Sequence, residues 1–176
     1  KIDGTSFKSI EVKKETVKKE TVKKETVKKE IWKPHATVAA IVEKNGEFLL
    51  VEETTSRGNR FNQPAGHLED NETITHAVVR EMLEETAYDF TPEALLGIYH
   101  WKHDHNDTTY LRFAFVGEVG NYHPEKALDA GIIRAVWMSI VEIREQQHLM
   151  RSEQVLTCFE DYLAGKQYPL ETITHL

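Results

Sequence analysis

The stretch Gly66-His67-Leu68-Glu69-Asp70-Asn71-Glu72, followed after Thr73 to Val79 by Arg80-Glu81-Met82-Leu83-Glu84-Glu85, decides how this chain is read. A turn glycine is followed by a glutamate, then by an Arg-Glu pair and a Glu-Glu pair. At about 100° per residue, Glu81, Glu84 and Glu85 fall on one turn of a helix within an arc of about 100°. Ile74, Val78 and Met82 form an apolar stripe at four-residue spacing beside them, which anchors the helix on a core. Three carboxylates held so close repel one another, and a divalent cation offsets that repulsion. Hard oxygen donors suit Mg²⁺, with Mn²⁺ as the second choice. Arg80 is placed to fork onto a neighbouring carboxylate and fix its rotamer.

A Glu-rich helix face taken alone is commonly just solvated. The spacing Gly-x5-Glu-x7-Arg-Glu-Met-x-Glu-Glu is far more restrictive, because it fixes six residue identities, with Met82 at a bulky aliphatic position among them, over 20 positions. It resembles the signature of the Nudix (MutT-type) pyrophosphohydrolases, carried here by Gly66, Glu72, Arg80, Glu81, Met82, Glu84 and Glu85. One position departs from that signature: the glycine that ends the family's helix is Ala87 here, followed by Tyr88. A residue with a side chain there puts the helix exit under strain if positive φ is needed.

The runs FNQPAGHLE (61–69), WKPHATVAAIVE (32–43), FLLVEE (48–53), YLRFAFVGEV (110–119) and GKQYPLE (165–171) extend the resemblance toward the NudJ-type phosphatase branch. It covers residues 31–176. It implies an α/β/α sandwich with a mixed sheet, and metal-dependent hydrolysis of phosphoanhydride bonds in nucleoside di- or triphosphates or related organic pyrophosphates, a thiamin-precursor pyrophosphate among them. It also implies a metal-ligating carbonyl at Gly66 and a supporting role for Glu72 in the Arg80–Glu81 array. A further acid before a Trp-containing strand is implied as well, with Asp129 as the candidate and Glu118 as second. The general base is Glu84 or Glu81. The competing reading is a non-catalytic Nudix domain that binds a nucleotide or a partner, and a Nudix-fold isomerase is a third.

Composition agrees with a metal-assisted enzyme. Residues 1–30 carry ten lysines and six acidic residues, a net +4, whereas residues 31–176 carry twelve basic and twenty-three acidic residues, a net −11. So acidic a domain is not expected to bind nucleic acid stably, and an acidic enzyme acting on acidic nucleotides needs a cation to mask both charges. The lone Cys158 excludes an internal disulfide and fits the reducing cytoplasm, the expected location; it reads as a small buried apolar residue. No apolar run is long enough to span a membrane, and no signal peptide is present. A monomer and a homodimer are both compatible with the sequence.

Residues 13–30 repeat KKETV with period five. That period puts Val17, Val22 and Val27 on no common face of a helix or strand, so 1–30 reads as a low-complexity leader, mobile and outside the domain of 31–176. Within the domain, an α+β order is expected. Strands over 36–43 and 47–52 flank an Asn45-Gly46 hairpin turn. A loop follows at 56–62, then a helix over 73–86, strands at 94–101, 108–119 and 133–138, and helices near 140–147 and 152–164. Ser139 with Glu142 forms a capping-box pattern. Ser152 and Gly165 delimit the last helix, with Leu156, Phe159 and Leu163 on one face.

Other candidate groups are weaker. Arg57, Arg60 and Arg112 are the cations available for phosphate. Phe61, Tyr99 and Trp101 are the aromatics available for stacking; Arg60 and Phe61 stand first as substrate contacts, with Arg112. His67 follows the motif glycine and is a candidate to face the site. His100, His103 and His105 resemble a metal cluster but read as a structural loop, since hard Mg²⁺ does not favour imidazole.

Overall fold

The computed structural model describes residues 31–103 and 107–176. The chain divides into two compact units, 1–32 and 33–176, and every element described belongs to the second. The expectations for the leader at 1–30 and for His105 lie outside the described residues.

Among the described residues, nine strands and three α-helices follow in order: β1 His35–Ile41, β2 Glu43–Lys44, β3 Glu47–Thr55, β4 Gly58–Asn62, β5 Ala65–His67, α1 Ile74–Thr86, β6 Tyr88–Lys102, β7 Thr109–Tyr122, β8 Ile132–Ser139, α2 Ile140–Glu145, α3 Glu153–Leu163 and β9 Tyr168–Pro169. Five strands pair in the order β5-β1-β7-β6-β9, with β1 and β7 parallel and the rest antiparallel. A second sheet is built on β3, which pairs with β2, β4 and β8, all antiparallel.

Alternation along the central strands divides the core in two. Val38, Ala40, Val42 and Leu49 pack with Ala77, Val78 and Met82 of α1. Ile41, Phe48 and Leu50 pack on the other side with Ile143 of α2 and Val155, Cys158 and Phe159 of α3. Period two in the strands therefore produces an α/β/α sandwich. The mixed sheet and the layer order agree with expectation.

Local chemistry explains the boundaries. Asn45 and Gly46 both have positive φ (56° and 84°), as a type I′ turn requires. The Thr73 hydroxyl accepts the His76 N–H at 3.1 Å and caps α1. Ser139 and Glu142 form the reciprocal capping box. Ala87 ends α1 in the left-handed region at φ 59°, its N–H bonded to the Leu83 carbonyl, so the exit expected of a glycine is made by alanine.

Three expectations are corrected. Residues 58–62 form β4 rather than loop, because Val51 to Thr55 pair with them in register and only Ser56-Arg57 remain as the turn. Ser152 precedes α3, but its hydroxyl makes no capping bond. Leu163 is exposed; Gln154, Val155, Cys158 and Phe159 make the buried face of α3 instead.

Candidate active site

Arg80 organises the carboxylates. Its Nε and Nη2 donate to the two oxygens of Glu72 at 3.1 and 2.8 Å. Nη1 donates to Glu81 Oε1 at 2.7 Å and to Glu84 Oε2 at 3.0 Å. Nη2 also reaches the His67 carbonyl at 3.0 Å. All five guanidinium donors are thus used. The same bonds, that to Glu72 foremost, raise the Arg80 pKa further and hold Glu72 below the usual carboxylate range. Glu72 also accepts the Glu69 N–H at 2.7 Å, which ties the loop before α1 to the array.

Glu85 turns the other way. Its Oε2 accepts the Ala65 N–H at 2.8 Å, linking α1 to β5. Burial pushes its carboxyl up to about 8, and the Ala65 bond only partly opposes this, while Glu81, Glu53 and Asp129 add repulsion. Burial likewise raises Glu81 despite its bond to Arg80. Gly66 sits in β5 rather than in a turn, and a Cβ there would overlap the Glu81 carboxylate. Its glycine is a requirement for close approach, not for positive φ.

Asp129 donates its backbone N–H to the Glu84 carbonyl at 3.0 Å, and its charge acts on both Glu81 and Glu85. It therefore joins the end of α1 that carries the array. Glu118 lies exposed on β7 opposite Thr91, away from the array.

Among the described residues, no three His, Cys, Asp or Glu side chains are grouped, as they stand, so as to hold a metal ion. Arg80 and the Ala65 N–H each hold one oxygen of a cluster glutamate, while Glu81 Oε2, Glu84 Oε1 and Glu85 Oε1 have no hydrogen bond among the described residues. This donor set is all hard oxygen. Burial drives two of its carboxylates, Glu81 and Glu85, toward protonation. The set fits Mg²⁺, which binds through a few carboxylates and keeps several waters.

Beside the array a cleft of about 390 Å³ opens over β5, β1 and β7. Thr37 pairs with His67 on one side and Arg112 on the other, so these three stand in a row across its floor. Arg112 is 8% exposed and donates to Gln63 at 3.0 Å. Gln63, fully buried, donates in turn to the Val155 carbonyl at 2.7 Å. Burial lowers the Arg112 pKa. Arg57, Glu53, Trp101 and Arg151 also line the cleft.

Two expected substrate contacts lie elsewhere. Arg60 turns back onto the Asn59 carbonyl at 2.7 Å, and Phe61 packs against the α3 side of the core. On β4 it is Asn62 that reaches the cleft. Tyr99 donates to Asp161 at 3.0 Å and packs with the same core, so of the three aromatics only Trp101 lines the cleft. His67 lines it too, its pKa lowered by burial and by His35. His100 is exposed on β6, whereas His103 borders the cleft.

Glu53, Thr37, Asn62 and Gln154 were not singled out from the sequence. Glu53 continues the Leu49–Val51 face, and a charge on an otherwise apolar strand face was the available signal.

Residues 33–157 match the NUDIX domain family model. The chain is 39% identical over 143 residues to the phosphatase NudJ of Escherichia coli K12, spanning 81% of this chain and 92% of that protein. It is similar to a solved NUDIX hydrolase from Nitrosomonas europaea, at 51% identity and TM-score 0.80, over 82% of this chain and 98% of that one. A Francisella tularensis bifunctional NMN adenylyltransferase/ADP ribose pyrophosphatase, solved with AMP and Mn, shares the fold at 22% identity and TM-score 0.56, over 76% of this chain and 42% of that one. With the family model covering most of the chain and the carboxylate array in place, the chain belongs to the NUDIX domain family.

Proposed function

We propose that this NUDIX hydrolase is a Mg²⁺-dependent enzyme that cleaves phosphoanhydride bonds in nucleoside di- or triphosphates or related small organic pyrophosphates. The observation that carries the reading is the Arg80 array, which gathers Glu72, Glu81 and Glu84 on one guanidinium beside an open cleft. The names of the NudJ relatives, phosphatases, support the same chemistry.

Glu81, Glu84 and Glu85, with the Gly66 carbonyl and Asp129, are the groups that would hold the ion. When bound, Mg²⁺ supplies charge that masks and polarises the phosphoryl oxygens. The chain supplies the rest. Arg80 fixes the rotamers of Glu81 and Glu84, with Glu72 bracing it from the far side. Glu84, whose side chain is 32% exposed against 9% for Glu81, is the carboxylate open to solvent and the better placed to take the proton of the attacking water. Arg57 at the cleft draws the substrate's phosphates toward the array, while Arg112, buried on the cleft floor, contacts the rest of the substrate. Arg60 and Phe61 would act only by supporting the cleft wall. A small soluble nucleotide as partner suits a chain with no helix, among the described residues, long and apolar enough to cross a membrane.

The test is release of phosphate against pyrophosphate from a panel of nucleotides and organic pyrophosphates with Mg²⁺, for the wild type and Glu84→Gln. Mg²⁺-dependent release that falls by about 100-fold or more in Glu84→Gln is expected. A near-wild-type kcat in that variant would remove Glu84 as the base, and no release from any substrate would remove the hydrolase reading.

A further inference from the structure

Among the described residues, five buried side-chain atoms have no hydrogen-bond partner: Thr37 Oγ1, Glu53 Oε1, Asn62 Oδ1, Arg112 Nε and Gln154 Oε1. All five residues line the one cleft beside the carboxylate array. Thr37, Asn62, Arg112 and Gln154 are 6%, 8%, 8% and 7% exposed. An unmade hydrogen bond on a buried group is costly, and chance would scatter such groups through a domain. Their convergence on one concave surface marks a site whose polar complement is a ligand.

The chemistry of the set narrows that ligand. Glu53 is a carboxylate on the cleft wall, and its Oε1 can only accept. The amides of Asn62 and Gln154 can rotate to donate or accept, so the carboxylate decides. Glu53 Oε2 already meets Arg151 at 3.6 Å, so Oε1 is the acceptor left for a ligand, and it suits the part of the substrate that bears N–H while the phosphates go to the array side. Arg112 Nε is a donor, and the Glu53 charge acts on the Arg112 guanidinium. Acceptor and donor in one cleft match an exocyclic amine next to a ring nitrogen. Trp101 and Tyr110, stacked at 5.8 Å with 26° between their planes, give the same cleft a flat aromatic wall that suits a heterocycle better than a free sugar.

Building on the hydrolase reading of the same site, we infer that the cleft selects substrates whose base carries an exocyclic amine, as cytosine and adenine do. Glu53 accepts from the amine, Arg112 donates to the ring nitrogen, and Glu53 is the specificity-determining residue.

Binding of nucleoside monophosphates, measured by calorimetry, tests this without turnover. The pairs are cytidine monophosphate against zebularine monophosphate, and adenosine monophosphate against purine riboside monophosphate; each pair differs by the amine alone. The wild type is expected to prefer the amine-bearing member by about 10- to 100-fold, the scale of one hydrogen bond to a charged group. Glu53→Leu is expected to bring the ratio near one. Equal affinities in the wild type overturn the proposal, as does failure of either member to bind at millimolar concentration, or a ratio that survives in folded Glu53→Leu. If that variant does not fold, the wild-type ratios still decide. Mg²⁺-dependent turnover without amine preference sinks this inference alone. Amine preference without turnover sinks the hydrolase reading and leaves this one standing.

Discussion

Gly66 lies against the Glu81 carboxylate so closely that no side chain fits between β5 and α1. The Ala65 N–H, one residue earlier, holds Glu85. Two adjacent residues of a three-residue strand thereby set two of the cluster carboxylates. Gly66→Ala should push Glu81 away from Arg80 and lower kcat by about 100-fold, with the fold kept. The measurement is steady-state hydrolysis beside circular dichroism. Activity within a few-fold of wild type would show that Glu81 has room to retreat.

Arg80 bridges Glu72, Glu81 and Glu84, and its planar fork makes five bonds. A lysine has one charged nitrogen and cannot bridge the same set. Arg80→Lys should lower kcat by about 10- to 100-fold and raise the Mg²⁺ concentration at half-maximal rate, as losing the support of a ligand does. A variant with normal metal response and normal kcat would reduce Arg80 to a surface ion pair.

How far the sequence reaches can be seen in particular residues. The α1 stripe, the Asn45-Gly46 turn and the Ser139 capping box are local patterns, and local sterics determine them. The carboxylate array was legible for the same reason, since all but Gly66 lie within 14 residues of chain, Glu72 to Glu85. The cleft was not, because Thr37, Glu53, Arg112 and Gln154 come from β1, β3, β7 and α3 and meet only through sheet pairing. Phe61 misled because strand alternation, invisible once 56–62 is read as loop, turns it to the core and Asn62 to the cleft; Arg60 shares the Asn62 face but folds back onto the Asn59 carbonyl. Ala87 shows a departure from the motif absorbed by backbone: it adopts φ 59° and keeps the cap bond.

Burial of the cluster carboxylates, with their mutual repulsion, should make the domain's stability depend on divalent cation. Burial holds Glu85 up to about 8 and raises Glu81, so an ion that binds both in ionised form stabilises the folded state. Mg²⁺ at tenfold its half-saturating concentration should raise Tm by about 3–6 °C, and a chelator should reverse it. The Glu81→Gln, Glu84→Gln double variant should lose the shift. A shift that persists in the double variant would place the ion elsewhere.

Cys158 tests the packing of α3 against the sheet. It is fully buried, and burial pushes its thiol up to about 11, only partly opposed by Arg112. Since the thiolate is the reactive form, alkylation at pH 8 should be about 100-fold slower than for a free thiol from ionisation alone, and slower still from burial. A group whose folded pKa is raised binds its proton more tightly in the folded state, so stability drawn from it is complete below the unfolded pKa, near 9.0, and declines as pH rises toward 11. Cys158→Ser should flatten that alkaline decline in a Tm-against-pH series, while Cys158→Ala should flatten it without adding a buried hydroxyl. Rapid alkylation of the native protein at pH 8 would mean that α3 opens far more often than its core contacts with Phe48 and Leu96 allow.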